Sequence, residues 1–316
     1  MVKAENGWVR QRHFSVKLLR PYFPLYVMFV PVMLFYILFH YIPMMGAIIA
    51  FKDYSFAKGI FGSPWAANAG MKHFIRFVTN GEFWRVFRNT VVLAGLRIAI
   101  SFPAPIVLAL MLNEVKLPRF KRVMQTISYL PHFVSFVVVY ALLYNFFSMD
   151  GFVNGVRKGL GKEAILFLGT PSYYPWFFVG SAVWKEMGWG AIIYLAALSR
   201  VNVDLYEAAD MDGANRICKL WHITLPAIRP IISIQFVRAM GGILNVSFEQ
   251  TLVMNNAMVA QVADTVGYYV YQQGILSINQ YSYSTAIGLF NSLLSLIIVI
   301  LTNKGARLID EEGGLW

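Results

Sequence analysis

Three long stretches of the chain contain no charged residue. They are residues 21–51, 123–149 and 265–303, and apolar side chains dominate each of them. Each stretch is longer than the roughly 20 residues that a helix needs to cross about 30 Å of hydrocarbon. Because a charged side chain is costly in lipid, this pattern predicts helices that span a membrane. The sequence is therefore interpreted first as an all-α, polytopic membrane protein.

The same pattern predicts about six membrane-spanning helices. They cover approximately residues 22–50, 89–113, 125–148, 174–198, 231–253 and 283–302. Basic residues precede the first of them, as in a secretory signal peptide, but its apolar stretch far exceeds the roughly 7–15 residues of a signal-peptide core. We therefore expect the first helix to remain uncleaved.

The distribution of Lys and Arg orients these helices. With the N-terminus in the cytoplasm, the cytoplasmic segments hold 15 of the 27 basic residues and the external segments hold nine. Since cytoplasmic loops of membrane proteins collect basic residues, we expect both termini in the cytoplasm. The external segments are then 52–88, 150–174 and 249–282. The first of them is unusually basic, and its part 82–88 is interpreted as lying along the membrane surface.

Composition supports this interpretation and narrows the function. The 316 residues are 58% hydrophobic and 14% charged, whereas soluble domains average about 45–50% apolar and about 25% charged. This excludes a soluble enzyme and a nucleic-acid-binding module, so the net charge of +11 is assigned to the cytoplasmic loops. The single cysteine, Cys218, excludes an internal disulfide and a cysteine-based metal site. The five histidines show no ligand spacing, and no phosphate-binding loop or hydrolase motif occurs, so no catalytic residue, metal or cofactor is expected in this chain.

The most informative segment is the predicted cytoplasmic loop at 200–229. Its residues 204–214 read DLYEAADMDGA, and residues 223–226 read ITLP. The first part has small and apolar residues at three- and four-residue spacing, which places them on one face of a short helix. That face consists of Leu205, Ala208, Ala209 and Asp212. Gly213 can supply the left-handed turn that ends this helix. The pattern predicts a helix, a glycine turn and a second helix shaped for a groove in another protein; an ordinary solvated loop is the alternative.

This loop resembles the coupling motif of type I ABC importer permeases, the membrane subunits of binding-protein-dependent uptake systems. The family pattern Glu-Ala-Ala, Asp-Gly-Ala and Ile-x-Leu-Pro is matched at 207–209, 212–214 and 223–226 with the family spacing. The resemblance extends from about Glu82 to the C-terminus. The stretches that resemble the carbohydrate-uptake branch are Asn89-Thr90, 248–254, 264–271 and 281–290. Within that branch the chain is similar to permeases of the LplB type, which accompany complex oligosaccharides and polysaccharides, and among those to alginate importers.

The resemblance implies an architecture and a set of partners. An N-terminal tail, the first helix and an external loop would occupy 1–84, the permease core 85–303 and a C-terminal tail 304–316. The chain would move an oligosaccharide across the bacterial cytoplasmic (inner) membrane together with a paralogous second permease subunit, an external solute-binding protein and two ATPase subunits that bind ATP and magnesium. The residues implied at the ATPase contact are Glu207, Ala208, Ala209, Asp212, Gly213, Ala214, Leu225 and Pro226.

Polar and aromatic side chains within or beside the predicted spans are candidates for the substrate pathway. Charged members would bind sugar hydroxyls or a uronate carboxylate; the alternative is that they pair with neighbours, while Arg238 reaches the cytoplasmic interface. Aromatic members would stack on sugar rings, with anchoring at the interface as the alternative. The candidates are Arg97, Tyr140, Tyr144, Trp184, Lys185, Glu186, Asn245, Glu249 and Asn291.

Two other functional classes remain open from the sequence. A stand-alone secondary transporter or channel would need its own ion-coupling site, typically buried carboxylates in broken helices, and the spans offer only Glu186 and Glu249. An intramembrane enzyme is disfavoured by the missing motifs. The basic excess of the first external segment also predicts contact with the binding protein or an acidic sugar. The residues that would make it are Lys52, Lys58, Lys72 and Arg76.

Overall fold

The computed structural model describes residues 22–278, 280–309 and 314, except for the side chain of residue 309. These residues form helices and no β-strand, which confirms the all-α prediction. The helices are α1 (Phe23–Tyr36), α2 (Ile42–Met44), α3 (Gly59–Gly62), α4 (Lys72–Thr79), α5 (Gly81–Ser101), α6 (Pro103–Glu114), α7 (Pro118–Tyr129), α8 (Phe136–Phe147), α9 (Phe152–Gly159), α10 (Tyr174–Leu198), α11 (Val203–Met211), α12 (Arg216–Lys219), α13 (Leu225–Gly241), α14 (Phe248–Met254), α15 (Ala260–Ala263), α16 (Val266–Tyr271) and α17 (Tyr281–Ile309). The chain divides into two compact units, Met1–Ile48 and Ile49–Trp316.

The described part of the first unit is one long apolar helical stretch. α1 continues through a π-helical turn at Ile37–Tyr41 into α2 and then into 3₁₀ geometry from Met45. Pro43 in α2 cannot donate a backbone hydrogen bond to the preceding turn, which accounts for the irregular winding before it. Large apolar side chains are exposed along the whole of α1. Such a helix is suited to lipid or to another subunit.

Five helical stretches of the described residues are long and apolar enough to cross a membrane. They are Phe23–Phe51, Gly81–Glu114, Phe136–Gly159, Arg216–Gly241 and Tyr281–Leu308. The predicted fourth span is a single helix, α10, with the predicted bounds. It packs against α5, α6, α7 and α13 and buries ten of its residues, so that protein surrounds much of it and can accommodate its charged pair. The total of six spans stays a prediction.

The predicted third span, 125–148, is wrong as one continuous helix. α7 ends at Tyr129, a 3₁₀ turn follows at Leu130–Phe133, and α8 begins only at Phe136. Pro131 accounts for the interruption, because proline lacks the N–H that an α-helix needs and restricts the residue before it.

The predicted fifth span, 231–253, is also wrong as one helix. α13 ends at Gly241, and α14 begins at Phe248 after a turn that starts at Gly242. Two consecutive glycines explain the stop, since glycine loses more conformational freedom in a helix than other residues. Arg238 therefore lies in the last turn of α13.

The segment 82–88, interpreted from the sequence as a surface stretch, forms the first turns of α5. Asn80 caps this helix by accepting a hydrogen bond from the backbone N–H of Glu82 (2.9 Å). Phe83 and Val86 are fully buried in the core of the second unit. The expectation that this segment lies along the membrane surface is therefore wrong.

Three clusters of buried apolar side chains hold the second unit together. One surrounds Phe83 and joins α4, α5, α16 and α17; another surrounds Phe178 and joins α5, α10, α14 and α15. The third surrounds Tyr194 and joins α6, α10 and α13. α10 takes part in two of them, which makes it the central helix of this unit.

Polar side chains fasten the start of α5 to the segment 255–266. Asn89 donates to the backbone carbonyl of Gln261 (2.9 Å). Arg85 forms an ion pair with Asp264 (2.9 Å), whose side chain is mostly buried. Thr90 accepts a hydrogen bond from the backbone N–H of Val266 (2.8 Å), so both residues of the Asn-Thr pair hold this segment against α5.

α7 and α10 approach each other backbone to backbone at Gly188. A Cβ atom at this position would lie 1.9 Å from the carbonyl oxygen of Ser128. No side chain can be accommodated at that distance, so the contact between the two helices requires glycine.

Replacing Gly188 by alanine is expected to destabilise the protein by at least about 1–3 kcal/mol, the usual cost of forcing a methyl group into a packed contact. The matched control is Gly180→Ala on the same helix, because a Cβ there has open space and alanine favours helix formation. Thermal unfolding of the detergent-solubilised protein measures both variants. Equal melting temperatures for G188A and G180A would contradict the close approach.

Candidate functional site

The loop at 200–229 folds as a helix, a glycine turn and a second helix, as its sequence predicts. α11 ends in a Schellman motif: the N–H of Gly213 bonds to the carbonyl of Asp210 (3.1 Å), and the N–H of Ala214 bonds to the carbonyl of Ala209 (2.9 Å). This geometry places Gly213 in the left-handed region, with φ of 73°. A residue with a side chain would be strained there, which gives the glycine of the motif a physical reason.

The outer surface of this loop combines apolar side chains with a carboxylate. Glu207, Ala208 and Asp212 are exposed, whereas Ala209 is half-buried. The exposed large apolar side chains beside them are Val203, Leu205, Met211, Ile217 and Trp221. Several exposed large apolar side chains on one short loop are typical of a contact with another protein. The loop therefore has the chemistry of a docking element.

Two side-chain contacts join α11 to the chain that leads into α13. The hydroxyl of Tyr206 hydrogen-bonds to the hydroxyl of Thr224 (2.9 Å), which is buried. Lys219 forms an ion pair with Asp210. The remaining predicted coupling residues, Leu225 and Pro226, are the first two residues of α13. The two contacts connect α11 to the chain directly before α13.

Two of the predicted pathway residues belong to a polar network between α10 and the helix break at 130–135. Lys185 is buried and donates to the backbone carbonyl of His132 (2.6 Å), and it lies 3.3 Å from a carboxylate oxygen of Glu186. The other oxygen of Glu186 is 2.8 Å from Nδ1 of His132. The imidazole stacks on Trp189, with ring centroids 4.5 Å apart. Lys185 and Glu186 thus pair with neighbouring groups, and their role on the substrate pathway stays a prediction.

The other polar and aromatic candidates lie in separate places. Glu249 accepts a hydrogen bond from the backbone N–H of Phe136 at the start of α8 (3.2 Å). Asn291 is buried and donates to Asn245 (3.2 Å). The aromatic candidates line two further cavities, Tyr140 and Tyr144 one of them and Trp184 the other. The structure does not bring the nine candidates together into one site.

Arg97 lines a cavity of about 400 Å³ formed by α5, α10, α13 and the turn after α13. Arg238 lines the same cavity, contrary to the expectation that it reaches the interface beside the coupling loop. It lies roughly 20 Å along α13 from Leu225, at 1.5 Å per residue. The pair Gly241 and Gly242 is the sequence signal that could have placed Arg238 at this end of the helix. The sequence did not indicate His132 as a site residue for a similar reason. It follows Pro131 inside the predicted span 125–148, which has the hydrophobicity of one continuous helix.

Most of the basic residues singled out in 52–88 have structural partners. Lys52 is buried, and Lys72 and Arg76 are also engaged. Their partners are the backbone carbonyls of Ile60 and Phe61 for Lys52, the carboxylate of Asp53 for Lys72, and Gln280 together with the ring of Tyr283 for Arg76. Lys58 is exposed. Three of the four residues thus stabilise this segment, which leaves Lys58 as the better candidate for an outward contact.

Asp53 is the centre of a small charge cluster in the same segment. Its carboxylate lies 2.8 Å from Lys72 and 3.1 Å from the ring of His73. The hydrogen bond from Lys72 lowers the pKa of Asp53, whereas burial lowers the pKa of His73 despite the nearby carboxylate. Both groups bind protons less readily in the folded protein than in the unfolded chain. Their stabilisation is therefore present at neutral pH and is lost as the pH falls, first through His73 below about 6.5.

Comparison with known proteins identifies the family. A family model described as "Binding-protein-dependent transport system inner membrane component" matches residues 83–310. The matched range begins in the first turn of α5 and includes the helix-turn-helix loop.

Two curated relatives and one solved structure are similar over nearly the whole chain. The chain is 44% identical to protein LplB of Bacillus subtilis strain 168 over 290 residues, which cover 92% of this chain and 90% of LplB. It is 42% identical to the polygalacturonan/rhamnogalacturonan transport system permease protein YteP of the same organism over 305 residues, which cover 96% and 94% of the two chains. A chain in the crystal structure of a bacterial alginate ABC transporter, in complex with an alginate pentasaccharide-bound periplasmic protein, is 36% identical, with a TM-score of 0.84 and coverage of 93% of this chain and 97% of that one. Together with the family match, these similarities confirm the resemblance inferred from the coupling motif: the chain belongs to the binding-protein-dependent transport system inner membrane components, the membrane-embedded permease subunits of ABC importers.

Proposed function

We propose that this chain is one permease subunit of an importer for acidic oligosaccharides in the bacterial cytoplasmic membrane. Support comes from the polymers in the names of its relatives, since polygalacturonan, rhamnogalacturonan and alginate all contain uronate sugars with a carboxylate. The observation that carries the transport role is the exposed surface of α11, joined by side-chain contacts to α13. Family membership disfavours a stand-alone transporter.

The proposal assigns the other tasks to partner chains. Since the sequence contains no phosphate-binding loop, two ATPase subunits bind ATP and magnesium and supply the energy. A paralogous second permease subunit completes the pathway. A solute-binding protein delivers the sugar at the external end, as the periplasmic protein in the alginate transporter complex suggests.

The geometry supports a simple mechanical route from ATP to the pathway. An ATPase groove that holds α11 moves it when the ATPase dimer closes. The Tyr206–Thr224 hydrogen bond and the Lys219–Asp210 ion pair pass this movement to α13. α13 then shifts its far end, where it stops at Gly241 and lines the cavity with Arg238. The helix thereby connects the docking surface with the interior of the protein.

Replacing Glu207 by alanine or lysine is expected to lower ATP-driven uptake about tenfold or more, because removing one partner of a charged interface contact costs roughly 2–5 kcal/mol. Uptake of a labelled oligosaccharide into proteoliposomes and co-purification of the ATPase measure the effect. The membrane subunits should still assemble.

Glu163→Ala is the matched control, since Glu163 is another exposed carboxylate and lies in the segment 150–174, away from the coupling loop. Its uptake should equal that of the unmodified protein. Normal ATPase recruitment and uptake in the Glu207 variants would overturn the assignment of α11 as the coupling helix.

The bond between α11 and the base of α13 can be tested by a double-mutant cycle. Tyr206→Phe and Thr224→Val each remove one hydroxyl, and the double variant removes both. We expect a coupling free energy of about 0.5–1.5 kcal/mol in the rate of uptake at saturating ATP, the usual net contribution of a hydrogen bond. Additive effects would mean that this bond does not transmit movement.

The segment 52–88 supplies a candidate surface for the binding protein. Lys58 stands between two highly exposed aromatic residues, Phe56 and Phe61. Lys58→Glu is expected to weaken binding-protein docking about threefold to tenfold by reversing a charge at the rim of an interface, with a larger effect at low salt. Titration of ATPase stimulation with the binding protein measures it.

Lys162→Glu, a charge reversal at an exposed lysine of the segment 150–174, is the control. Lys52→Gln should instead destabilise the segment 52–88, because Lys52 is buried and donates hydrogen bonds to two backbone carbonyls. A docking curve for K58E equal to that of the unmodified protein would remove Lys58 from the contact surface.

A further inference from the structure

The cavity between α5, α10 and α13 is positively charged. Two guanidinium groups and several neutral polar groups line it, and no Asp or Glu occurs in its lining among the described residues. The polar residues that matter here are Arg97, Ser101, Gln235, Arg238, Asn245 and Ser247. Its volume of about 400 Å³ falls within the range of about 300–1,000 Å³ usual for small-molecule sites.

The surroundings of Arg97 suit a side chain that binds a ligand better than one that stabilises the fold. Within the described part of the chain, its guanidinium has neither a hydrogen bond nor an ion pair. Glu186 acts on it electrostatically, but the two oxygens of Glu186 already contact Lys185 and His132. A largely buried arginine in a membrane-spanning helix is costly unless a partner neutralises it. Among the described residues no carboxylate contacts its guanidinium, which leaves the group available to an anionic ligand.

The guanidinium of Arg238 and the hydroxyl of Ser101 line the same cavity as Arg97. Gln235 accepts a hydrogen bond from Nε of Arg238 (2.8 Å), which fixes that side chain and does not use its two terminal nitrogens. The hydroxyl of Ser101 is buried and has no hydrogen-bond partner among the described residues. An unpaired buried hydroxyl beside two cations is the arrangement expected where an acceptor-rich ligand binds.

The position of the cavity along the helices suits a translocated ligand. Arg97 is about 24 Å from the start of α5, and Arg238 is about 20 Å from the start of α13, at 1.5 Å per residue. Both distances lie within the roughly 30 Å thickness of a bilayer core. α13 also carries the movement of the coupling loop, so a ligand held here would respond to ATP-driven motion of that helix.

We infer that Arg97 and Arg238 form a carboxylate-binding point in the membrane interior, which holds one uronate unit of an acidic oligosaccharide during import. This inference rests on the proposed function. Guanidinium groups are suited to the task because their planar, forked donors match the two oxygens of a carboxylate. Ser101 and Asn245 would bind sugar hydroxyls beside it. The site distinguishes acidic from neutral sugars after the binding protein has released them.

The test uses the complete importer in nanodiscs without the binding protein, so that selection by that protein does not enter. The probes are a tritiated alginate trisaccharide and the same trisaccharide with its carboxylates reduced to hydroxymethyl groups. The unmodified complex should bind the acidic probe at least about tenfold more tightly than the reduced one, as a charge-assisted bidentate contact implies. In Arg97→Gln and Arg238→Gln the difference should disappear, while binding of the reduced probe changes little. Arg97→Lys should restore part of the preference, because it keeps the charge but not the fork.

Arg88→Gln is the matched control, since Arg88 is exposed on the same helix and does not line the cavity. It should leave the preference unchanged. Co-purification of the second permease subunit and the ATPase subunits with R97Q and R238Q shows that these complexes are assembled.

Three outcomes would overturn the inference while the proposed function stands. They are an unchanged acidic preference in R97Q and R238Q, equal binding of both probes to the unmodified complex, and dissociation of the second permease subunit in R97Q, which would mean that Arg97 pairs with a carboxylate of that subunit. The proposed function is tested separately by ATP-driven uptake in proteoliposomes with the binding protein. If the unmodified complex imports neither probe there, both proposals fall.

Discussion

Inside a membrane, a helix can stop only where something other than water satisfies the backbone groups that it releases. This protein interrupts apolar stretches at 130–135 and at 242–247, and it begins a further helix at Val266 in the segment 249–282. At each place a side chain accepts a hydrogen bond from a backbone N–H that the helix leaves unpaired. The acceptors are Ser135 and Glu249 for the start of α8, Ser247 for the start of α14, and Thr90 for the N–H of Val266. Glu249 and Thr90 lie on other helices than the ones they cap, so these two bonds also fix how neighbouring helices pack.

The interruptions give the second unit its functional layout. α13 can begin at the coupling loop and end inside the protein only because Gly241 and Gly242 stop it there. Its base is fastened to α11 through Thr224, and its end lines a cavity with Arg238. The break at 130–135 is held against α10 by His132, which leaves α10 as the central helix between two buried clusters. The exposed surface of α11 and the cavity are thus connected through α13 and its contacts.

Local patterns predicted the elements whose sequence signals are strong. α10 has the bounds expected from its apolar stretch, and the coupling loop has the helix, the left-handed Gly213 and the second helix that its spacing indicates. The predictions of single helices over 125–148 and 231–253 are wrong for the same reason. A run of apolar residues shows that a segment can enter lipid, but it does not show whether the backbone is continuous, and Pro131 and the glycine pair are weak signals against uniform hydrophobicity.

The sequence by itself determined the class of protein, the approximate membrane segments and the coupling motif, because hydrophobicity, charge and short-range spacing are properties of neighbouring residues. Only the tertiary structure decided what the isolated polar residues do. In the folded protein Lys185 contacts Glu186 and His132, and Lys52 donates to backbone carbonyls. Arg97 and Arg238, which are 141 positions apart in the chain, line the same cavity. The energy of a buried charge depends on which groups surround it in space, and those groups come from helices whose contacts no local pattern encodes.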